Sequence, residues 1–146
     1  MRVVIAPGSF GDGLGAEAAA EAIATGWRCV APGDDLALLP AAGGVPPGLD
    51  AALDGAGLVV TGEASFDWRS LRGAPVPAVA QAAAARGVPC VVLAGQVLVG
   101  RREAAAVGVD AAYGIAGGAG GPGGSPVDPA GLLAALAENV ARRWSR

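Results

Sequence analysis

The chain has 146 residues, of which 53% are hydrophobic and 16% charged, which excludes a disordered protein and suits one domain with a buried core. Every basic residue is an arginine, so a histidine base or metal ligand, a phosphate-binding lysine and a Schiff-base lysine are excluded. The net charge of −3 and the lack of a basic cluster argue against nucleic acid as a partner.

Short β-type runs alternate with alanine-rich helical patterns, which predicts an α/β fold with a mostly parallel sheet of about five strands. We expect one three-layer, Rossmann-like domain over residues 1–146. The predicted strands cover residues 3–6, 36–39, 58–61, 90–94 and 112–115. The predicted helices cover residues 16–28, 76–86 and 101–107, and a last helix follows the capping residue Asp128. Its apolar stripe is predicted at Leu132, Leu136 and Val140.

The sequence shows no sign of a membrane segment or a metal site. No apolar run approaches the length of about 20 residues that a membrane helix needs, and the chain opens on a strand pattern rather than a charged leader. We therefore expect a cytoplasmic protein without a membrane partner. Cys29 and Cys90 lack the spacing of a metal site or a disulfide framework, so we interpret both as buried, reduced thiols and predict no metal ligands.

The exit loops of the predicted strands define where a ligand should bind. Right-handed crossovers bring these loops to one edge of a parallel sheet, which is where open α/β sheets bind ligands. The predicted loops cover residues 7–15, 40–48, 61–73, 95–100 and 116–127. The glycine-rich stretch 117–124 in the last loop is either a mobile flap or a tolerated flexible loop.

Two carboxylates, Glu63 and Asp67, follow the apolar run 58–60. If both face one pocket, their mutual repulsion raises the pKa of one of them, which supplies an acid and a base near neutral pH. We therefore predict these two residues as the catalytic pair. The alternative is that Glu63 braces the loop by accepting hydrogen bonds from backbone N–H groups.

Neighbouring side chains are candidates for binding a substrate. The guanidinium groups of Arg69 and Arg72 suit carboxylate or phosphate ligands, and the indole ring of Trp68 offers a surface for stacking. The alternative is that these residues are surface groups at the start of a helix.

Two further loops contribute candidates. Ser9, Phe10 and Asp12 lie in a glycine-rich loop whose backbone can approach a ligand closely, although an ordinary tight turn would also explain the glycines. Gln96 follows the fourth strand and could donate a hydrogen bond to a substrate oxygen.

Three segments of the chain, in this order, carry a resemblance to a known protein family. They are Val4-Ile5-Ala6-Pro7-Gly8-Ser9-Phe10, then Thr61-Gly62-Glu63 with Asp67 and Ser70-Leu71, and finally Gly87-Val88-Pro89. Together they resemble the type I glycerate kinase family, whose members phosphorylate D-glycerate with ATP and Mg²⁺. The resemblance implies a shared α/β scaffold and adds Ser70 to the candidate substrate-binding residues.

The sequence departs from this family at positions that phosphoryl transfer requires. The domain that the family inserts after its second strand is missing near residues 43–49. Gly8 stands where the family has an acidic residue, and Gly11 stands where it has a lysine. Residues 43–46 are uncharged where the family has an acidic cluster. Since phosphoryl transfer depends on positioning and on neutralising the charge of the transferred group, we expect ATP-dependent phosphotransfer to be lost.

We therefore predict a small enzyme, derived from the glycerate kinase scaffold, that acts on a small anionic or hydroxylated substrate without a cofactor. The reaction would be an isomerisation, a cyclisation, an elimination or a similar acid–base step in a specialised biosynthetic pathway. One alternative is a phosphotransferase that uses Mg-ATP and is completed by a partner chain or a homodimer mate, which covers the face left by the missing domain. Another is a non-catalytic ligand-binding protein.

Overall fold

The computed structural model describes residues 1–11, 13–42, 44–73, 75–115 and 128–145. The strands are β1 (Arg2–Ile5), β2 (Asp35–Leu38), β3 (Leu58–Phe66), β4 (Cys90–Val97) and β5 (Ala111–Gly114). The helices are α1 (Ala16–Val30), α2 (Leu49–Leu53), α3 (Val76–Ala85), α4 (Arg101–Ala106) and α5 (Pro129–Trp144). A turn of 3₁₀ helix, Trp68–Leu71, follows β3.

The five strands form one sheet in the order β2-β1-β3-β4-β5, and every neighbouring pair is parallel. This arrangement confirms the predicted α/β fold with a single Rossmann-like sheet. The order in which the chain adds strands reverses between β1 and β3. After β1 the chain adds β2 on one side, and after β3 it adds β4 and β5 on the other. Open sheets of this order bind ligands at such a switch point.

Helices cover both faces of the sheet and bury two apolar clusters. Val3 and Ile5 of β1 point towards α1 and α5, whereas Val4 points towards α2 and α3. Because both faces are covered, the strands read as near-continuous hydrophobic runs rather than alternating ones. None of the helices in the described ranges has the length and apolarity needed to cross a lipid bilayer.

Strands β3 and β4 are longer than the sequence predicts. They run to Phe66 and Val97 rather than ending at residues 61 and 94, so that Glu63 and Gln96 lie in strands and not in exit loops. Glycine and polar residues make these segments look like loops in the sequence. Pairing between the two strands nevertheless continues through Phe66 and Val97, beyond the ends of their neighbours.

The helices confirm most of the prediction, with two corrections. Asp128 caps α5 by accepting a hydrogen bond from the backbone N–H of Ala130 at 3.1 Å. The buried residues of α5 are Leu133, Ala137, Val140 and Ala141. Leu133 and Ala137 therefore take the places predicted for Leu132 and Leu136, one position earlier in the chain. The sequence reasoning also missed α2, which is a five-residue helix in a stretch rich in glycine and proline.

The two cysteines differ in their surroundings. Burial, with the nearby charge of Asp110, raises the pKa of the Cys90 thiol to about 12. Cys29 is exposed on the outer side of α1, so the prediction that it is buried is wrong. The glycine-rich stretch 117–124 lies outside the described residues.

Candidate functional site

A cavity of about 330 Å³ opens at the carboxyl edge of the sheet, where the chain leaves β1, β2 and β3. It therefore lies at the switch point between β1 and β3, the position at which sheets of this order bind ligands. Among the described residues, its walls consist of small side chains and one carboxylate, and they comprise Gly8, Ser9, Ala41, Ala42, Gly44, Glu63 and Pro75.

Backbone hydrogen bonds hold the walls of this cavity beside one another. The N–H of Gly8 donates to the carbonyl oxygen of Gly62 at 2.8 Å, and the N–H of Ala41 donates to that of Pro7 at 2.8 Å. The segments that leave β1 and β2 therefore continue alongside the neighbouring strand. This continuation brings Gly8 and Ser9 next to the cavity-lining residue of β3.

Gly62 has a steric reason to be glycine. A Cβ atom at this position would lie 2.1 Å from the carbonyl oxygen of Leu93 and 3.0 Å from Cζ of Phe10. The first distance is far below any van der Waals contact, and the atom it meets is rigid backbone. The glycine of the Thr-Gly-Glu segment therefore permits the close approach of β3 to β4 and to Phe10.

Glu63 is half-buried in the cavity wall, and its Oε1 accepts a hydrogen bond from Ser70 Oγ at 2.5 Å. Burial raises the pKa of this carboxyl above its ordinary value, because the charged form loses hydration. The hydrogen bond from Ser70 opposes the rise in pKa, the charge of Asp67 adds to it, and the charge of Arg69 opposes it. A cavity carboxylate with a raised pKa is suited to exchanging protons with a ligand.

Asp67 has a different environment, although it is only four residues away. Its side chain caps the 3₁₀ helix by accepting from the N–H of Arg69 at 3.0 Å, and it forms an ion pair with the Arg69 guanidinium at 2.7 Å. The Ser65 hydroxyl group donates to it at 3.0 Å. The hydrogen bond from the Arg69 side chain, which is the largest influence, lowers the pKa of Asp67 to about 2.

The two predicted catalytic carboxylates therefore do not face one cavity. Glu63 lines it and Asp67 does not, so the two do not share one pocket, although the charge of Asp67 raises the pKa of Glu63 as expected. The two are connected through Ser70, whose Oγ accepts from the N–H of Asp67 at 3.0 Å. Asp67, rather than Glu63, braces the loop through backbone N–H groups, because its position as helix cap places it beside them.

The candidates in the first loop separate onto two faces of the sheet. Ser9 lines the cavity, and its Oγ accepts from the N–H of Gly11 at 3.1 Å. Phe10 instead packs against the cluster beneath α1 and α5. Asp12 lies outside the described residues.

The remaining predicted binding residues lie away from the cavity. Trp68 is 65% exposed, and Arg72 and Gln96 are also exposed. The guanidinium group of Arg69 forms an ion pair with Asp67. Within the described residues, the cavity lining contains no arginine, and no three Cys, Asp or Glu side chains are close enough to hold a metal ion.

Sequence reasoning missed two residues that shape the site. Pro75 forms a wall opposite Gly8, where a Cβ atom would lie 3.0 Å from its ring. Ser65 supports the cap at Asp67. The signal for Pro75 is its position directly before α3, whereas nothing in the sequence pattern marks Ser65.

Two mycobacterial proteins are similar to this chain in sequence. Uncharacterized proteins of Mycobacterium bovis (strain ATCC BAA-935 / AF2122/97) and Mycobacterium tuberculosis (strain CDC 1551 / Oshkosh) are each 43% identical over 86 residues. That alignment covers 59% of this chain but 23% of each relative, so the chain spans only a small part of their length.

Two solved structures are similar in fold. A flavodoxin from the domain Archaea has a TM-score of 0.57 at 13% identity and covers 100% of both chains. The sugar isomerase domain of an RpiR transcription factor from Sphaerobacter thermophilus has a TM-score of 0.52 at 24% identity. It covers 98% of this chain and 71% of that one. At these identities the likeness shows the fold alone.

A sequence profile of the glycerate kinase family matches residues 47–145, which is more than half of the chain. The matched region contains Glu63, Asp67 and Ser70, and with them the hydrogen-bonded group described above. The chain therefore belongs to the glycerate kinase family.

Proposed function

We propose that this protein is an enzyme that moves a proton on a small hydroxylated substrate, with Glu63 as the proton acceptor and without ATP-dependent phosphoryl transfer. The observation that carries the proposal is that Glu63 lines the 330 Å³ cavity at the switch point and has a raised pKa. Base-catalysed isomerisation, cyclisation and elimination begin with such a proton transfer.

The lining of the cavity favours a hydroxylated substrate over an anionic one. Glu63 is the charged side chain among the described lining residues, and a carboxylate repels an anion. α3 begins at the wall that contains Pro75, so the positive end of its dipole lies beside the cavity. That end can stabilise negative charge that develops on a substrate oxygen when the proton leaves.

Two features support the loss of phosphotransfer. The lining among the described residues has no cation to neutralise a transferred phosphoryl group. The chain also passes from β2 to α2 within residues 39–48, and we propose that the family's inserted domain is absent at this point.

Replacement of Glu63 by glutamine tests the proposal. Dihydroxyacetone in D₂O is a suitable probe, because its C–H groups lie beside a carbonyl and their exchange for deuterium is visible by NMR. We expect the wild-type protein to accelerate the exchange and the Glu63→Gln variant to lose about 10²–10⁴-fold of that rate, the usual contribution of a general base. Because the base must be ionised, the rate should increase with pH through the raised pKa of Glu63.

Glu17→Gln is the matched control, since Glu17 is exposed on α1 and lies outside the cavity. It should exchange the probe at the wild-type rate. Equal rates for wild type and Glu63→Gln with dihydroxyacetone, and with D-glycerate as the anionic counterpart, would overturn the assignment.

Family membership favours a second candidate, a phosphotransferase completed by a partner chain or a second copy. Titration calorimetry with Mg-ATP separates the two. Our proposal requires no measurable heat of binding, whereas micromolar affinity would support the phosphotransferase.

A further inference from the structure

Ser70 lies at the centre of the hydrogen bonds behind the cavity, and its side chain is buried. Its Oγ accepts from the N–H of Asp67 at 3.0 Å. The same oxygen lies 2.5 Å from Oε1 of Glu63 and 3.1 Å from the carbonyl oxygen of Ser65. A hydroxyl group has one hydrogen, so it can donate fully to only one of these two acceptors at a time.

The protonation state of Glu63 decides which acceptor receives that hydrogen. An ionised carboxylate is the stronger acceptor, and hydrogen bonds from O–H to a charged oxygen are short, about 2.5–2.7 Å. Once Glu63 is protonated, its carboxyl becomes a weaker acceptor, and the Ser65 carbonyl oxygen is within reach. Ser70 therefore keeps a partner in both states, which avoids the cost of a buried donor without one.

Among the described residues, Ser70 is the side chain that donates a hydrogen bond to Glu63. The charged groups that act on Glu63 are Asp67 and Arg69, and these two bind each other. The walls from β1, β2 and α3 contribute Gly8, Ala41 and Pro75 among others, none of which titrates. Oε1 of Glu63 thus has Ser70 as its hydrogen-bond donor.

We propose that Ser70 is the positioning residue of this site. Its hydroxyl group holds one carboxylate oxygen of ionised Glu63 in place and turns to the Ser65 carbonyl oxygen when Glu63 takes up a proton. This inference rests on the proposed function, and it assigns to Ser70 the task of setting the pH at which Glu63 can accept a proton. Ser70 itself does not react with substrate.

The test is a titration of the Glu63 carboxyl by ¹³C NMR, with glutamate labelled at the carboxyl carbon and the signal assigned with Glu63→Gln. Ser70→Ala removes the donor to the charged form, so we expect it to raise the pKa of Glu63 by about one to two units, which corresponds to one lost hydrogen bond to a charged group. Ser70→Thr keeps a hydroxyl group and should stay near wild type. A merely structural role would not give this pattern.

Ser9→Ala is the matched control, because Ser9 lines the same cavity but bonds the N–H of Gly11. It should leave the titration of Glu63 unchanged. Ser70→Cys has a weaker donor and should raise the pKa of Glu63 by an intermediate amount. This variant tests the inference if circular dichroism shows that Ser70→Ala does not fold.

An unchanged titration in the folded Ser70→Ala or Ser70→Cys variant, or an equal rise in Ser9→Ala, would overturn the inference. The readout needs no substrate, so its failure is distinct from that of the proposed function. Loss of the proposed function would instead appear as Glu63→Gln exchanging the probe at the wild-type rate.

Discussion

Glu63 and Asp67 illustrate how local geometry separates two chemically similar side chains. Glu63 lies in a half-buried wall with one hydrogen-bond donor among the described residues, so loss of hydration dominates and raises its pKa. Asp67 receives hydrogen bonds from a guanidinium group, a backbone N–H and a hydroxyl group, which together lower its pKa to about 2. The sequence shows the two carboxylates and their spacing but cannot show which of them has donors around it.

Asp67→Asn should destabilise the protein because it removes the ion pair with Arg69 and weakens the cap. The folded-state pKa of Asp67 is lower than its ordinary value of 3.8. Its contribution to stability is therefore complete above pH 3.8 and is lost as the pH falls towards 2. Melting temperatures measured across this range should fall with acid in the wild type and less steeply in Asp67→Asn.

The control for this prediction is Asp54→Asn, which removes an exposed ion pair with Arg86 at 2.9 Å. Exposed pairs contribute little, so its melting curve should resemble that of the wild type. A variant at Asp67 that is as stable as wild type near neutral pH would contradict the assigned cap.

At the scale of elements, α1 and α5 approach each other through a glycine. A Cβ atom on Gly26 of α1 would lie 2.0 Å from the carbonyl oxygen of Ala134 in α5. Gly26→Ala raises helix propensity by about 1 kcal/mol, but the inserted methyl group must push two helices apart. The clash prevails because its partner is backbone that cannot rotate away.

We expect Gly26→Ala to lower the free energy of unfolding by about 1–3 kcal/mol, the usual cost of overpacking, as measured by urea denaturation. Thr25→Ala, at an exposed neighbouring position of α1, should leave it nearly unchanged. A Gly26→Ala variant more stable than wild type would show that the helices do not pack this closely.

The elements also differ in how well the sequence predicts them. The first helix and the capped start of α5 were predictable, because an apolar stripe and the Asp128-Pro129 pair are local signals. The extension of β3 past residue 61 was not, because it depends on pairing with β4, a contact between distant segments. For the same reason, the sequence assigned Glu63 to the correct edge of the sheet but to a loop instead of a strand.

For the molecule as a whole, Asp34 connects distant parts of the chain. Its carboxylate is 5% exposed and accepts from the Met1 ammonium at 3.1 Å, the Trp27 indole at 2.9 Å and the Ser145 hydroxyl group at 2.5 Å. Burial would raise its pKa, but the hydrogen bonds from Ser145, Trp27 and the ammonium group outweigh burial and lower it. The residue thereby joins the start of β1, α1 and the end of α5.

Asp34→Asn replaces an oxygen by an NH₂ group that faces other donors, so we expect the free energy of unfolding to fall by about 1.5–3 kcal/mol, the value of hydrogen bonds to a charged group. Because the pKa of Asp34 is lowered, this difference should be complete above the ordinary pKa of an aspartate and be lost as the pH falls through the lowered pKa. Asp35→Asn, at an exposed neighbouring position, is the control in the same denaturation series. Equal stability of the two variants at neutral pH would refute the connection.

The location of Glu63 in β3 has a practical consequence for protein engineering. Its backbone is fixed opposite Ala94 by strand pairing, whereas most of the opposing cavity wall comes from the segments after β1 and β2. Those segments can be exchanged for longer or more polar ones while the carboxylate keeps its coordinates. The cavity of this small α/β domain is thus open to redesign around a carboxylate held at a fixed place.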